Sequence, residues 1–77
     1  MPKTSFNEAI LRVAATHNRQ AVFRYAKGDG SVIEMRTVTP RDFKVVGSHL
    51  TFTGYDPDRD DSRAYRLDRI KGEVSIV

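Results

Sequence analysis

The sequence predicts a small, mainly β domain: one N-terminal α-helix followed by five or six short antiparallel strands that close into a barrel. Three observations carry this. Apolar residues recur at helical spacing over the first 17 residues. From residue 20 onward the apolar period becomes two, the period of a strand with one buried face. Turn-forming residues then separate short apolar runs at hairpin spacing.

The helix is expected over about residues 5–17. Ser5 and Glu8 have capping-box spacing, in which hydroxyl and carboxylate each accept the other residue's backbone N–H. Phe6, Ile10, Val13 and Ala14 fall at i, i+4, i+7 and i+8, one face of the helix, and Leu11 and Ala15 widen it. His17-Asn18 is the expected end. A helix of about 12 residues is marginal alone in water, so it has to pack on the rest of the chain.

The barrel is expected over about residues 20–77. Ala21 to Tyr25 alternates with Phe23 inward, and Lys27-Gly28-Asp29-Gly30 turns into a second strand, Ser31 to Val38. Pro40 has no N–H to give a ladder and is expected to stop that strand. Phe43 to Val46 reads as a third strand, Gly47-Ser48 as a tight turn, and Leu50 to Tyr55 as a fourth strand. The polar loop Asp56 to Asp61 leads to a fifth strand, Ser62 to Leu67, with Tyr65 and Leu67 on one face and Ala64 and Arg66 on the other. Asp68-Arg69-Ile70 turns tightly before a last strand, Glu73 to Val77. Closure into a barrel removes unpaired edges, and the helix is expected to cover one open end.

Residues 1–77 read as a single domain. A chain this short buries only about 60–65% of its unfolded surface, which leaves no mass for a catalytic subdomain or a deep cleft. There is no cysteine, which excludes zinc–thiolate and thiol-nucleophile chemistry. The lack of disulfide staples points to a cytoplasmic protein. No apolar run reaches the roughly 18 residues of a membrane span. Thirteen basic residues, nine of them Arg, against ten acidic ones give a net charge of +3, a mild bias toward an acidic partner.

Taken together, several segments carry a family pattern. They are Ala9-Ile10, Val22-Phe23-Arg24-Tyr25, Gly30, Arg36-Thr37-Val38-Thr39-Pro40, Leu50-Thr51-Phe52-Thr53-Gly54-Tyr55-Asp56, and Arg63-Ala64-Tyr65-Arg66-Leu67-Asp68-Arg69-Ile70. This resembles the WYL domain. That family's pattern runs from an Ala-Ile helix through an apolar-x-x-Tyr strand and an Arg-x-Val-x-Pro strand end. A Trp-Tyr-Leu strand follows, then an Arg-x-Phe-Arg-Leu-Asp-Arg-Ile segment. The resemblance covers residues 7 to 77, and its last segment is the most specific, departing only in Tyr65 for Phe.

The resemblance implies an SH3-like or Sm-like barrel. It also implies a sensing role. WYL domains sit behind a helix-turn-helix in bacterial transcription regulators, or in phage-defence and CRISPR proteins, and sense ligands, often nucleic acid, through basic and aromatic residues. A chain of 77 residues has no room for a helix-turn-helix, so only the sensing module carries over, and a phage or mobile-element protein is one expected setting. The name-giving Trp-Tyr-Leu falls on Leu50-Thr51-Phe52. Leu50 and Phe52 keep the apolar alternation, but Thr51 replaces the tyrosine, which moves the expected ligand contacts to the arginines and the remaining tyrosines.

Those expected contacts are Arg36, Arg63, Arg66 and Arg69, with Tyr25 and Tyr65 beside them and His49 flanking. Guanidinium groups grip phosphate bidentately, and tyrosine rings offer planes on which bases stack. Arg63 shares strand parity with Tyr65 and Leu67, and a charge beside an apolar row calls for a reason. The structural alternative pairs Arg66 or Arg69 with Asp68, Glu34 or Glu73 and makes the tyrosines core-edge residues. A second basic patch is possible in residues 12–44, where Arg12, Arg19, Arg24, Lys27, Arg36, Arg41 and Lys44 outnumber Asp29, Glu34 and Asp42.

Asp56, Asp58 and Asp60 fall at the first acidic positions of a calcium loop. The glycine and glutamate such a loop requires are replaced by Asp61 and Leu67, so the segment reads as a solvated hairpin tip. His17 and His49 have no metal-ligand spacing, and no serine sits in a nucleophile elbow. No catalytic residue, metal or cofactor is expected. The sequence therefore predicts a non-catalytic ligand-sensing module for single-stranded DNA or RNA or a nucleotide-like anion. The alternative is a protein-interaction or homodimerisation module that uses Glu73 to Val77 as an edge strand.

Overall fold

A computed structural model describes Lys3 to Val77, with side chains from Ser5 onward. Helix α1 (Lys3–Thr16) precedes strands β1 (Ala21–Lys27), β2 (Val32–Val46), β3 (His49–Asp56) and β4 (Asp61–Arg66). A 3-10 turn (Leu67–Arg69) then leads into β5 (Ile70–Ile76).

Helix α1 starts earlier than its capping-box spacing predicts. Ser5 lies inside the helix and is not its N-cap, and the position before Lys3 is outside the described residues. The Glu8 carboxylate instead accepts from Arg12 Nε at 2.8 Å, one turn on. At the other end the expected cap forms. Asn18 is left-handed (φ +54°), Arg19 N donates to Ala14 O at 2.8 Å and Asn18 N to Ala15 O at 3.2 Å, the paired bonds of a Schellman end.

The buried face of α1 is Asn7, Leu11 and Ala14, with Ile10 packed beside it; Leu11, Ala14 and Ile10 belong to the predicted stripe, and Phe6 and Val13 lie outside the buried face. Phe6 is 42% exposed and Val13 47%. The cause is an irregularity in β5. Val22 pairs with Ser75 and Arg24 with Lys71, so Gly72, Glu73 and Val74 stand opposite Phe23 alone. Gly72 takes φ +79°, which a side chain would strain. The bulged backbone needs partners, and Asn7, only 1% exposed, supplies them. Its Nδ2 donates to Gly72 O and its Oδ1 accepts from Val74 N, both at 3.0 Å. Seating Asn7 turns Phe6 and Val13 outward.

The sheet order is β4-β3-β2-β1-β5, antiparallel throughout. Two expectations are corrected. First, Pro40 does not end a strand: β2 runs through it for 15 residues, merging two predicted strands and leaving five strands in all. Its first half pairs with β1 and its second with β3. Pro40 lies opposite Gly54, and beyond it Arg41 and Asp42 bulge against Thr53. The Asp42 N–H goes to Thr53 Oγ1 at 3.3 Å, so proline sits where the ladder is already interrupted.

Second, the sheet does not close into a barrel. β4 pairs with β3 only and β5 with β1 only. Aromatic rings fill the space between β1 and β4, where a ladder would need backbones about 4.8 Å apart. Phe23 meets Phe52 and Tyr65 edge-on, Phe52 stacks on Tyr65, and Tyr25 stands perpendicular to Tyr65 at 5.2 Å. A single side-chain bond spans the gap: Arg66 N donates to the Tyr25 phenol oxygen at 2.9 Å. Leu11 and Ala14 join Ala21, Val38, Leu67, Ile70 and Val74 in the core, so α1 covers one end of the sheet's inner face.

Candidate functional site

The other end of the inner face opens into a groove of about 530 Å³ to which α1 contributes no residue. Strand register explains its lining. Residues directly opposite one another on antiparallel strands share a face. Phe23 faces Arg36 and Tyr25 faces Glu34 across β1 and β2; Phe52 faces Tyr65 and Gly54 faces Arg63 across β3 and β4. The row that is core at Phe23 and Phe52 therefore becomes polar further along, through Tyr25, Lys27, Glu34 and Arg36 on one wall and Arg63 on the other. Arg63 faces the bare backbone of Gly54, the position where a Cβ would come within 2.9 Å of Val38 Cγ2.

The β3–β4 turn adds Arg59 to the groove. This turn is more than a solvated tip. Asp56 is 3% exposed and organises it, accepting the Asp58 N–H on Oδ1 at 3.0 Å. The Asp56 carbonyl accepts the Arg59 N–H at 3.3 Å. Its Oδ2 lies 3.8 Å from Arg59 Nε, which aims that side chain back toward the sheet.

Four cations, Lys27, Arg36, Arg59 and Arg63, thus line the groove with one carboxylate, Asp61, and a second carboxylate, Glu34, pairs with three of them. Glu34 stands where three of them converge. Lys27 Nζ is 3.1 Å from its Oε1, while Arg36 Nη2 is 2.9 Å and Arg59 Nη2 4.0 Å from its Oε2. The hydrogen bond from Lys27 and the charge of Arg36 hold the Glu34 carboxyl below the usual range. Arg63 is left to Asp61, at 3.8 Å. The Arg36 side chain is only 12% exposed, so its charge sits in a partly dry setting.

Tyr65 forms part of the groove lining and is 4% exposed. Its hydroxyl is buried and has no hydrogen-bond partner. Burial and the charge of Asp56 push the phenol up, while Arg36, Arg59 and Arg63 pull it down, so the hydroxyl lies within the field of three guanidinium groups. The phenol is therefore neutral, with an unused donor buried in the groove wall. Among the described residues no group of His, Asp and Glu side chains forms a metal site.

The WYL domain family model matches residues 8–73. The chain belongs to the WYL domain family. Its structure is similar to part of the proteasome accessory factor B/C (PafBC) of Arthrobacter aurescens, with a TM-score of 0.86 at 24% identity. That match covers 97% of this chain and 12% of the PafBC chain, and it speaks for the fold. No curated protein is significantly similar in sequence. No helix among the described residues is long and apolar enough to cross a membrane.

In this WYL domain, four of the residues singled out from the sequence meet in the groove: Tyr25, Arg36, Arg63 and Tyr65. Arg66 and His49 do not. They form a second cluster with Asp68, which Arg66 grips through Nε at 2.9 Å and Nη2 at 2.6 Å. His49 Nδ1 lies 3.1 Å from Arg66 Nη2 and 3.3 Å from Asp68 Oδ2. The hydrogen bonds from Arg66 hold the Asp68 carboxyl below its usual range, aided by the charges of Arg66, His49 and Arg69. Arg69 is half-buried in the 3-10 turn beside this cluster.

The second basic patch that residues 12–44 made possible is dispersed. Lys27 and Arg36 join the groove, Arg12 pairs with Glu8 and lies 4.4 Å over the Phe43 ring, and Arg19 Nη2 donates to Val77 O at 2.7 Å. The family's missing tyrosine is also located. Thr51 alternates with buried Phe52, lies on the outer side of the sheet and donates its hydroxyl to Lys44 O at 2.9 Å. Its substitution therefore leaves the inner groove intact. The groove-lining residues the sequence did not single out as contacts are Lys27, Arg59, Asp61 and Ala64, and Glu34 joins the site through its ion pairs with three of the lining cations. Lys27 was within reach, because it shares parity with Tyr25. Arg59 depends on a turn built around a buried aspartate, which no periodicity shows.

Proposed function

We propose that this WYL domain is a non-catalytic ligand-sensing module of transcription regulation, working in the cytoplasm, whose groove binds a nucleotide-type anion, foremost single-stranded DNA or RNA. The observation that carries this reading is the gathering of Lys27, Arg36, Arg59 and Arg63 in one groove lined also by Tyr65, whose buried hydroxyl has no partner. Half-buried Tyr25 in the same groove supplies an aromatic surface for a base. Membership in a family whose domains sense ligands within bacterial regulators supports the same reading. Arg66 is joined to the groove through the Tyr25 hydroxyl, which accepts its backbone N–H, and with Arg69 and His49 it would extend the basic surface along a bound strand.

The test is fluorescence polarisation with short labelled single-stranded and duplex oligonucleotides over a range of salt. Single strands should be preferred, and log K should fall with log salt by about 0.7 per phosphate engaged. Arg36→Ala and Arg63→Ala should each weaken binding. Absence of binding at low salt, or unchanged affinity in both variants, overturns the reading.

The outer edge of β5 favours a second reading, because this strand pairs on one side only. A protein strand or a second copy of the chain would add there by backbone hydrogen bonding. Light scattering of nuclease-treated protein tests this: a discrete dimer supports it, and a monomer at all concentrations removes self-association.

A further inference from the structure

We propose that Glu34 is an internal competitor for a ligand phosphate: its carboxylate holds the point where Lys27, Arg36 and Arg59 converge, and a phosphate group binds by displacing it. The inference rests on the groove being an anion site and names how that site discriminates.

Three observations lead to it. The cations come from three separate segments, β1, β2 and the β3–β4 turn, yet meet at the two oxygens of one side chain at 3.1, 2.9 and 4.0 Å. An arrangement drawn from that many segments is a seat for an anion, beyond what a single strand-to-strand ion pair needs. The carboxylate also fills the seat incompletely. Two groups of the same groove, Arg63 at 3.8 Å from Asp61 and the Tyr65 hydroxyl with no partner, are left under-used. A phosphate has more acceptor oxygens than a carboxylate and suits the guanidinium fork as well. Finally, Glu34 is able to leave. Its side chain is 35% exposed, and its pairs with Lys27 and Arg59, both themselves more than a third exposed, hold weakly.

A competing internal carboxylate sets a threshold. Anions that reach only one cation meet a seat already occupied, whereas a phosphate group that engages several of the four cations at once outcompetes it. Glu34 thus raises selectivity at some loss of affinity.

The experiment compares the unmodified protein with Glu34→Gln and with Glu73→Gln. The second variant makes the same charge change on β5, outside the groove. Probes are inorganic phosphate, followed by NMR shifts of groove amides, and a short oligothymidylate carrying either a 5′-phosphate or a 5′-hydroxyl, followed by polarisation. Glu34→Gln should tighten binding by about three- to tenfold, with Glu73→Gln changing it less than about twofold. If inorganic phosphate and only the 5′-phosphorylated strand gain, the seat takes a terminal phosphate. If both strands gain alike, it takes a backbone phosphodiester; either result supports the competitor role.

Binding by the unmodified protein that Glu34→Gln fails to tighten overturns this inference and leaves the anion-site reading standing. An equal gain in Glu73→Gln also overturns it, because the effect is then net charge. No binding of any probe by any of the three proteins overturns both.

Discussion

Asn7 accepts the backbone N–H of Val74 on its carboxamide oxygen at 3.0 Å, tying the first helix to the last strand across 67 residues of sequence. The same carboxamide holds Gly72 O, so one side chain satisfies both backbone groups of a buried bulge. Asn7→Ala leaves two such groups without partners. Each uncompensated buried group costs about 1–3 kcal/mol, so a loss of about 2–4 kcal/mol is expected by urea denaturation. For a domain of this size that is a large part of the total stability.

Gly54→Ala is expected to destabilise by about 1–3 kcal/mol. The added methyl would lie 2.9 Å from Val38 Cγ2 and 3.1 Å from Val38 Cβ, in a packed interior. Val38→Ala in the same chain should restore part of the loss, a coupling that a double-mutant cycle on melting temperatures reads directly.

The two groove tyrosines should respond in opposite ways to losing their hydroxyls. Tyr25→Phe removes the acceptor for the Arg66 N–H and with it the one side-chain tether from β1 to β4. A stability loss of about 1 kcal/mol is expected. Tyr65→Phe removes a buried hydroxyl without a partner, so the free protein should be unchanged or more stable by up to about 1 kcal/mol. Oligonucleotide affinity should nonetheless fall, the pattern of a group kept for binding at the expense of stability. Thermal melts paired with polarisation titrations separate the two.

Acid should destabilise the domain in a narrow window. Asp29, Glu34 and Asp68 are held below their ordinary values, first by the hydrogen bonds from Ser31, Lys27 and Arg66 respectively. Groups with depressed native values contribute stability above their unfolded values, about 3.9–4.3, and lose it as pH falls through the native ones. Melting temperature should therefore show no loss from these groups between pH 7 and about 5 and should fall below about 4. All three side chains are well hydrated, so each contribution is small. Asp68→Asn should make the fall shallower.

What the sequence allowed to be read, and what it did not, follows from which forces have a period. The helix end at Asn18, the strands around Phe23 and Phe52, and the inward row of Arg63, Tyr65 and Leu67 all follow from spacing, and structure and sequence agree on them. Asn7 was invisible because burial of a polar side chain depends on a bulge 65 residues away in the chain. Pro40 misled because its cost vanishes opposite Gly54, beside a bulge that only the register of β2 and β3 creates. Closure failed where four aromatic rings hold β1 and β4 apart, a matter of volume and not of pattern. Within the site, Tyr25, Arg36, Arg63 and Tyr65 share strand parity with the core, and their meeting is the expected result of alternation. The position of Glu34 between three cations needed the fold.

The strand order has a kinetic side. Three of the four ladders join strands adjacent in sequence; the β1–β5 ladder alone joins distant ones. The Asn7 bonds to Gly72 and Val74, the Val77 N–H on Gln20 O and the Arg19 bonds to Val77 O all lie along the same line. The hairpins from β1 to β4 close short loops and zip quickly, whereas the β1–β5 line carries nearly all the loop-closure entropy of the chain. It is expected to form last and open first, releasing helix and final strand together. Amide exchange in native conditions should therefore report α1 and β5 as one cooperative unit of lower stability, with the groove-bearing meander persisting after they detach.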